Sequence, residues 1–288
     1  MKHIRNLIIT AVTLLFVVLI AYLSRESDGN YIFTIPLLVF LVCVIILIQW
    51  LMFLPSYLKS TEHYFDITGS ITFITVSVLA FILSDNKNIR SILLTLLIIV
   101  WATRLGVFLL KRVKAAGSDG RFDDLKDFST FFMVWNLQAL WITFTLLSSL
   151  IIFTSNHSGN LEIYDYIGII TWISGLFIEV VADKQKSDFK NDISNKNKFI
   201  STGLWKYSRH PNYLGEIILW TGITIIAIPL FSGWSWLGLI SPAFVFIMLK
   251  FISGVRILEN RADMKWGKDK EYLKYKNSTP EIFPFKIG

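Results

Sequence analysis

The chain has 288 residues, of which 53% are apolar and 17% charged, against about 25% charged in an ordinary soluble domain. With 23 Phe and 10 Trp among so few charges, a water-soluble globule, a disordered chain and a nucleic-acid-binding module are all excluded. The net charge is +7, and the single cysteine, Cys43, excludes a disulfide framework or a cysteine-based zinc site.

A helix crosses a bilayer core with about 20 apolar residues. In chain order the predicted spans are 6–23, 31–55, 67–84, 91–110, 129–153, 166–182, 213–231 and 235–252. Periodicity is uninformative, because helices apolar all round are what a membrane selects; length decides, since barrel strands would be shorter and alternating. The expected fold class is all-α: a polytopic transmembrane helical bundle of eight helices, one integral membrane domain over 1–288. Seven helices is the alternative, if 166–182 or the first segment fails to span. The first run is followed by Ser24-Arg25-Glu26-Ser27-Asp28, with no small-x-small cleavage site, so it reads as an anchor rather than a signal peptide. A transporter would bring inverted repeats and broken helices, and neither is expected here.

With the N-terminus on one side, 24 of the 28 Lys and Arg fall on that side and three on the other, leaving Arg104 within a span. The positive-inside rule then places both termini, and the loops 111–128 and 183–212, in the cytoplasm. The external loops are too short to hold a domain, so any site lies in the membrane or on its cytoplasmic face. Asn156-His157-Ser158, in one of those loops, fits a glycosylation sequon that would matter only in a eukaryote.

Three charged residues, Arg104, Glu179 and Glu216, sit within spans, where each costs at least about 2.5 kcal/mol at helix centre. They are expected to face a polar interior, either as a buried ion pair or as a ligand site. Glu179 and Asp183 stand at i and i+4 on one helix face, and Lys190 returns to about that face two turns later. Ser208 through Glu216 reads as a helix start, with His210 at the cap, Pro211 in the first turn, and Asn212 and Glu216 sharing a face. Arg209 and His210 beside a helix N-terminus suit an anion, most simply phosphate; the alternative is an interfacial pair among lipid headgroups. No dinucleotide fingerprint or P-loop is present.

These residues make a longer pattern: Glu179, Ala182, Asp183, Gln185 and Lys186, then Gly203 through Glu216, then Trp220. Trp101, Arg104, Leu105, Arg112 and Gly120-Arg121-Phe122 precede it; Ser253-Gly254-Val255, Glu259, Tyr272, Tyr275 and Thr279-Pro280 follow. Over about 60–288 the chain resembles a family of membrane proteins of unassigned function related to steroid 5-alpha-reductases. The resemblance implies a reductase that uses NADPH on an electron-poor carbon–carbon double bond of a lipid, with the helical bundle enclosing the dinucleotide. It implies cofactor contacts from Asn212 and Glu216, from Glu179 in place of an Asn, from Asp183 and Lys190, and more loosely from Arg104 and Arg112. Arg209, His210 and Tyr213 join this cofactor set from the helix-start reading.

One departure stands out. Steroid reductases polarise the substrate carbonyl with a Gln-Glu pair ahead of a Leu-Pro-Ser-Phe-like stretch, and with a later Tyr. Here Met52 and Phe53 precede Leu54-Pro55-Ser56-Tyr57, and the Tyr position falls near Trp101. A lipid other than a 3-oxo-Δ4 steroid is therefore expected, with Asp66 or Tyr213 as the replacement catalytic acid. The Arg-His-Pro-x-Tyr-x-Gly block is also similar to isoprenylcysteine carboxyl methyltransferases, which bind S-adenosylmethionine. Against that, Gly267 lies five residues before Tyr272, not three, and the Ala-Asp-x-Gln-Lys block has no counterpart there. A non-catalytic lipid-binding role is the third alternative. The expected partners are a lipophilic small molecule and membrane lipids, with no nucleic acid and no metal. The expected location is a bacterial inner membrane, or the ER membrane in a eukaryote.

Overall fold

A computed structural model of the chain describes residues 1–26, 29–85, 87–116, 127–156 and 160–285. Gly120-Arg121-Phe122, Ser27 and Asp28 after the first helix, and His157 and Ser158 of the sequon lie outside the described residues. Among the described residues eight helices are long and apolar enough to cross a membrane. The chain is a multi-pass integral membrane protein. Its helices are α1 (Lys2–Ser24), α2 (Leu37–Leu58), α3 (Phe65–Leu83), α4 (Ile89–Ala116), α5 (Phe128–Thr154), α6 (Ile163–Asn191), α7 (Pro211–Ala227), α8 (Ile240–Ile247), α9 (Val255–Trp266) and α10 (Lys270–Ser278).

The short 166–182 run proves to be part of the 29-residue α6, so eight spans stand rather than seven. The second span starts later than expected. Residues 31–36 form a hairpin, β1 (Tyr31–Ile32) against β2 (Ile35–Pro36), and the helix begins only after Pro36. The eighth span is not a regular helix, contrary to expectation. It opens as a 3-10 helix over Gly233–Leu239, becomes α8, and widens to a π turn over Met248–Ile252. Ser253 and Gly254 then break it, and the polar α9 follows.

The chain divides into two compact units, residues 1–164 with 227–241, and residues 165–226 with 242–288. The first is built round α5, whose residues from Ile142 to Thr154 are all buried, with α1, α2 and α3 packed on it. Asp127 caps α5 by accepting from the Thr130 amide at 3.1 Å, and Lys2 of α1 lies 3.3 Å away. The start of α3 and the end of α4 meet through Asp66 and Arg112 at 3.5 Å. Tyr57 at the end of α2 packs on Phe128 at the start of α5. At the other end of these helices Asn30 donates to Asp85 and Asn156 at 2.8 and 3.0 Å. Within the spans polar side chains pair off: Gln49 with Thr72, Trp50 with Asn136, and Gln138 with the Phe65 carbonyl.

The second unit rests on a close antiparallel crossing of α6 and α7. A Cβ on Gly168 would lie 2.6 Å from the Gly222 carbonyl, and one on Gly175 would lie 2.6 Å from the Gly215 carbonyl; both clashes are reciprocal. Glycines seven residues apart on each helix thus let the two backbones touch, the small-residue packing that membrane helices use where no hydrophobic driving force is left between them.

Candidate functional site

The glycine crossing decides where the acidic residues go. Gly215 is in backbone contact with Glu179, so that a Cβ on it would lie 2.6 Å from the Glu179 amide nitrogen. Glu216 is the next residue along α7. Glu179, Asp183 and Glu216 are 3%, 5% and 9% exposed. The two helices therefore bring three buried carboxyl residues together round one crossing, with Asn212 half-buried one turn before Glu216. Lys190 lies on the exposed last turn of α6.

Much of the motif builds the frame of this unit. The Gln185 side-chain Oε1 accepts from the Leu204 amide at 2.9 Å, and the same side chain fills the space where a Cβ of Gly203, at φ +61°, would project. Trp205 donates to the Ala182 carbonyl at 3.2 Å, and the Lys186 ammonium lies 4.7 Å from its ring centre. Ala182, Gln185, Gly203 and Trp205 thus join the end of α6 to the turn that leads into α7.

Arg209 holds the C-terminal segment. Its side chain donates to the Lys276 and Thr279 carbonyls at 2.6 and 2.7 Å and to Glu259 at 3.0 Å, with Glu281 at 3.6 Å; the Arg209 amide donates to the Pro280 carbonyl. Helix α7 also offers little to an anion. Pro211 has no amide hydrogen, and the Tyr213 and Leu214 amides both donate to the His210 carbonyl. The residue that sequence reasoning passed over is Glu259, noted there only as one tail residue among several. It accepts from Arg209 and, at 2.9 Å, from His210 Nε2, while Lys276 lies 3.6 Å away. Lys276 bonds Asp263 at 2.6 Å, Tyr272 donates to Asp263 at 2.9 Å, and Tyr275 to the Trp205 carbonyl at 2.6 Å. Burial, reinforced by the Asp263 bond, pushes the Tyr272 hydroxyl above its ordinary range. The signal for Glu259 was a lone acid one turn ahead of Asp263, in the first polar helix after the last span.

The imidazole of His210 is buried, and Tyr213 stacks on it at 5.5 Å and 9°. The Tyr213 ring in turn lies where a Cβ of Gly254 would come within 2.9 Å of it.

The other candidates belong to the first unit. Asp66 faces Arg112 across 3.5 Å. Arg104 lies 5.5 Å from the ring centre of Phe108. Phe53, where steroid reductases keep an acid, sits in a cluster with Phe131, Trp135, Met52 and Tyr57, its ring 5.1 Å from Phe132. The position is hydrophobic core. Among the described residues no group of three or more His, Cys, Asp or Glu is placed to hold a metal ion.

A family model described as a protein of unknown function (DUF1295) matches residues 50–279. The chain belongs to this family. The match takes in α3 to α7, the Glu259 helix and Tyr275, and with them every candidate cofactor and catalytic residue. The chain is also 30% identical, over 119 residues, to a steroid 5-alpha-reductase, DET2, of Solanum lycopersicum. That match covers 41% of this chain and 41% of the tomato protein, well under half of either. No solved structure matches.

Proposed function

We propose that this DUF1295 protein is a membrane-embedded, NADPH-dependent oxidoreductase that saturates a carbon–carbon double bond of a lipophilic substrate. The observation that carries the reading is the trio of buried carboxyl residues, Glu179, Asp183 and Glu216, gathered at the α6–α7 crossing. Acidic residues within membrane spans mark polar interiors and ligand or ion sites, and the resemblance to steroid reductases at these positions points to a dinucleotide as the ligand. The donor set fits a dinucleotide. Carboxylates and the Asn212 amide suit ribose hydroxyls and a carboxamide, while Lys184, Lys186 and Lys190 lie on the last two turns of α6 for the phosphates.

When bound, NADPH supplies a hydride to the electron-poor carbon. The protein must hold it, exclude water, and see a proton delivered to the neighbouring carbon. Tyr213 follows Asn212 on the first turn of α7, between His210 and Glu216, whereas Asp66 pairs with Arg112 at the start of α3, so Tyr213 is the better placed of the two candidate proton donors. A core of Met52 and Phe53 in place of Gln-Glu leaves a steroid enone without its usual acid, which favours another lipid class.

The test is nucleotide binding by the detergent-purified protein. NADPH should bind and S-adenosylmethionine should not, and Glu216→Ala should lose NADPH while still inserting into the membrane. Binding of S-adenosylmethionine alone would move the chain to the methyltransferase class. Binding of neither would favour a non-catalytic lipid-binding role.

A further inference from the structure

Glu259 receives the Arg209 guanidinium and the His210 ring on one oxygen, with the Lys276 ammonium beside the other. A carboxyl group so flanked by cations is a carboxylate, and a carboxylate only accepts hydrogen bonds. His210 Nε2 must therefore carry a hydrogen. Burial holds the imidazole below its ordinary pKa, and Lys186 and Arg209 act in the same direction, while Glu259 opposes them. With Arg209 and Lys276 already flanking the same carboxylate, the buried ring takes the neutral Nε2–H form, whose other nitrogen, Nδ1, presents a lone pair. Nδ1 is buried and has no hydrogen-bond partner among the described residues. A buried polar atom left so is unfavourable, and a suitable donor would recover that loss. Stacking on Tyr213 keeps the ring from turning away.

We propose that Glu259 is a positioning residue that fixes His210 as the Nε2–H tautomer, so that Nδ1 is a buried acceptor for an N–H or O–H group of the bound ligand rather than a cation for a phosphate. The identity of the donor, the carboxamide or a ribose hydroxyl of the dinucleotide, rests on the NADPH reading; the tautomer does not. This gives the clamp a role in recognition. Arg209 and the C-terminal segment hold Glu259, Glu259 holds His210, and His210 meets the ligand.

Two measurements on the full chain decide it. In the first, histidine ring nitrogens are labelled with ¹⁵N and His210 is assigned by its loss in His210→Gln. Near pH 7 the wild type should show a protonated Nε2 and a bare Nδ1, and Glu259→Gln should give a mixture of tautomers. A doubly protonated ring, or hydrogen on Nδ1, overturns the proposal. In the second, NADPH is titrated into His210→Asn and His210→Gln. The asparagine amide lies near the place of Nδ1, and the glutamine amide near that of Nε2, where it can still reach Glu259. If Nδ1 meets the ligand, Asn should bind within about threefold of wild type and Gln should bind about tenfold more weakly. If His210 serves only to satisfy Glu259, Gln is the better replacement, and that order overturns the proposal. The 3-acetylpyridine analogue of NADPH, which has no carboxamide N–H, separates the two donors: weaker wild-type binding points to the carboxamide, and equal binding to the ribose. A wild type that binds no NADPH sinks the cofactor reading, and the proposal is then decided by the nitrogen spectra.

Discussion

Gly175 on α6 and Gly215 on α7 meet backbone to backbone: a Cβ on either would lie 2.6 Å from the carbonyl oxygen of the other. Neither neighbour is a flexible side chain that can swing aside. Gly215→Ala should therefore push the helices apart, and overpacking of this kind costs about 1–3 kcal/mol. The same displacement moves Glu179 relative to Glu216. The expected outcome is a lower Tm in detergent together with weaker NADPH binding. Unchanged Tm would mean that the two backbones are not in contact at this crossing.

Sidedness is tested by fusion reporters. The α1, α3 and α5 N-termini and the α2 and α4 C-termini of the first unit share one end, and Lys2, Arg5, Lys59, Lys111 and Arg112 lie there. Arg25, Lys87 and Arg90 belong to the opposite end. Reporters after Lys126, Lys198 and Gly288 should read cytoplasmic, and one after Ser158 external. A cytoplasmic reading at Ser158 would remove the odd number of spans between that loop and the N-terminus.

The helix count was legible because each span is long and free of charge, and length alone identifies such a helix. Residues 31–36 were misjudged for the same reason: Tyr31, Ile32 and Ile35 are as apolar as the helix that follows, and only Pro36 marks its start. The irregular eighth span was hidden too, since the hydropathy of Met248–Ile252 is the same in an α or a π turn. The acidic face of α6 could be read from the spacing of Glu179 and Asp183. Its meeting with Glu216 could not, because it depends on four glycines seven residues apart in pairs, an interval that has meaning only once the helices are known to cross. Arg209 looked like an anion ligand because its partners, Glu259 and three carbonyls beyond Tyr275, are 50 to 71 residues away in sequence.

Acid should loosen the first unit through Asp127. Its carboxyl is held down to about 2, chiefly by the Thr130 hydroxyl, with the Thr130 amide, Lys2 and Ser129 adding to the effect and burial opposing it. A depressed carboxyl contributes stability above its unfolded value, near 4, and loses it as the pH falls through about 2. The wild type should therefore lose Tm progressively between these values, and Asp127→Asn should show a lower Tm at neutral pH with a shallower acid dependence. Parallel pH curves for the two proteins would mean that the cap and its Lys2 contact contribute nothing to acid sensitivity.

NADPH differs from NADH by a 2′-phosphate, and a protein that prefers it needs a cation at that end of the pocket. Sequence reasoning offers Arg112, Lys190 and Arg209, and their surroundings now distinguish them. Arg209 is 10% exposed and spends its guanidinium on Glu259 and the Lys276 and Thr279 carbonyls. Arg112 faces Asp66, and Lys190 stands on the exposed last turn of α6, two turns beyond Asp183. Removing one partner of a largely buried pair costs about 3 kcal/mol or more, so Arg209→Ala should free the C-terminal segment to proteolysis and weaken NADPH and NADH alike. Lys190→Ala should leave the fold intact and narrow the NADPH/NADH affinity ratio by severalfold, since it removes a charge-assisted bond to a phosphate that only one cofactor carries. Titration of both nucleotides against both variants, with limited proteolysis alongside, checks this. A narrowed ratio in Arg209→Ala with an intact C-terminal segment would return Arg209 to the phosphate, and an unchanged ratio in Lys190→Ala would place the 2′-phosphate on another cation.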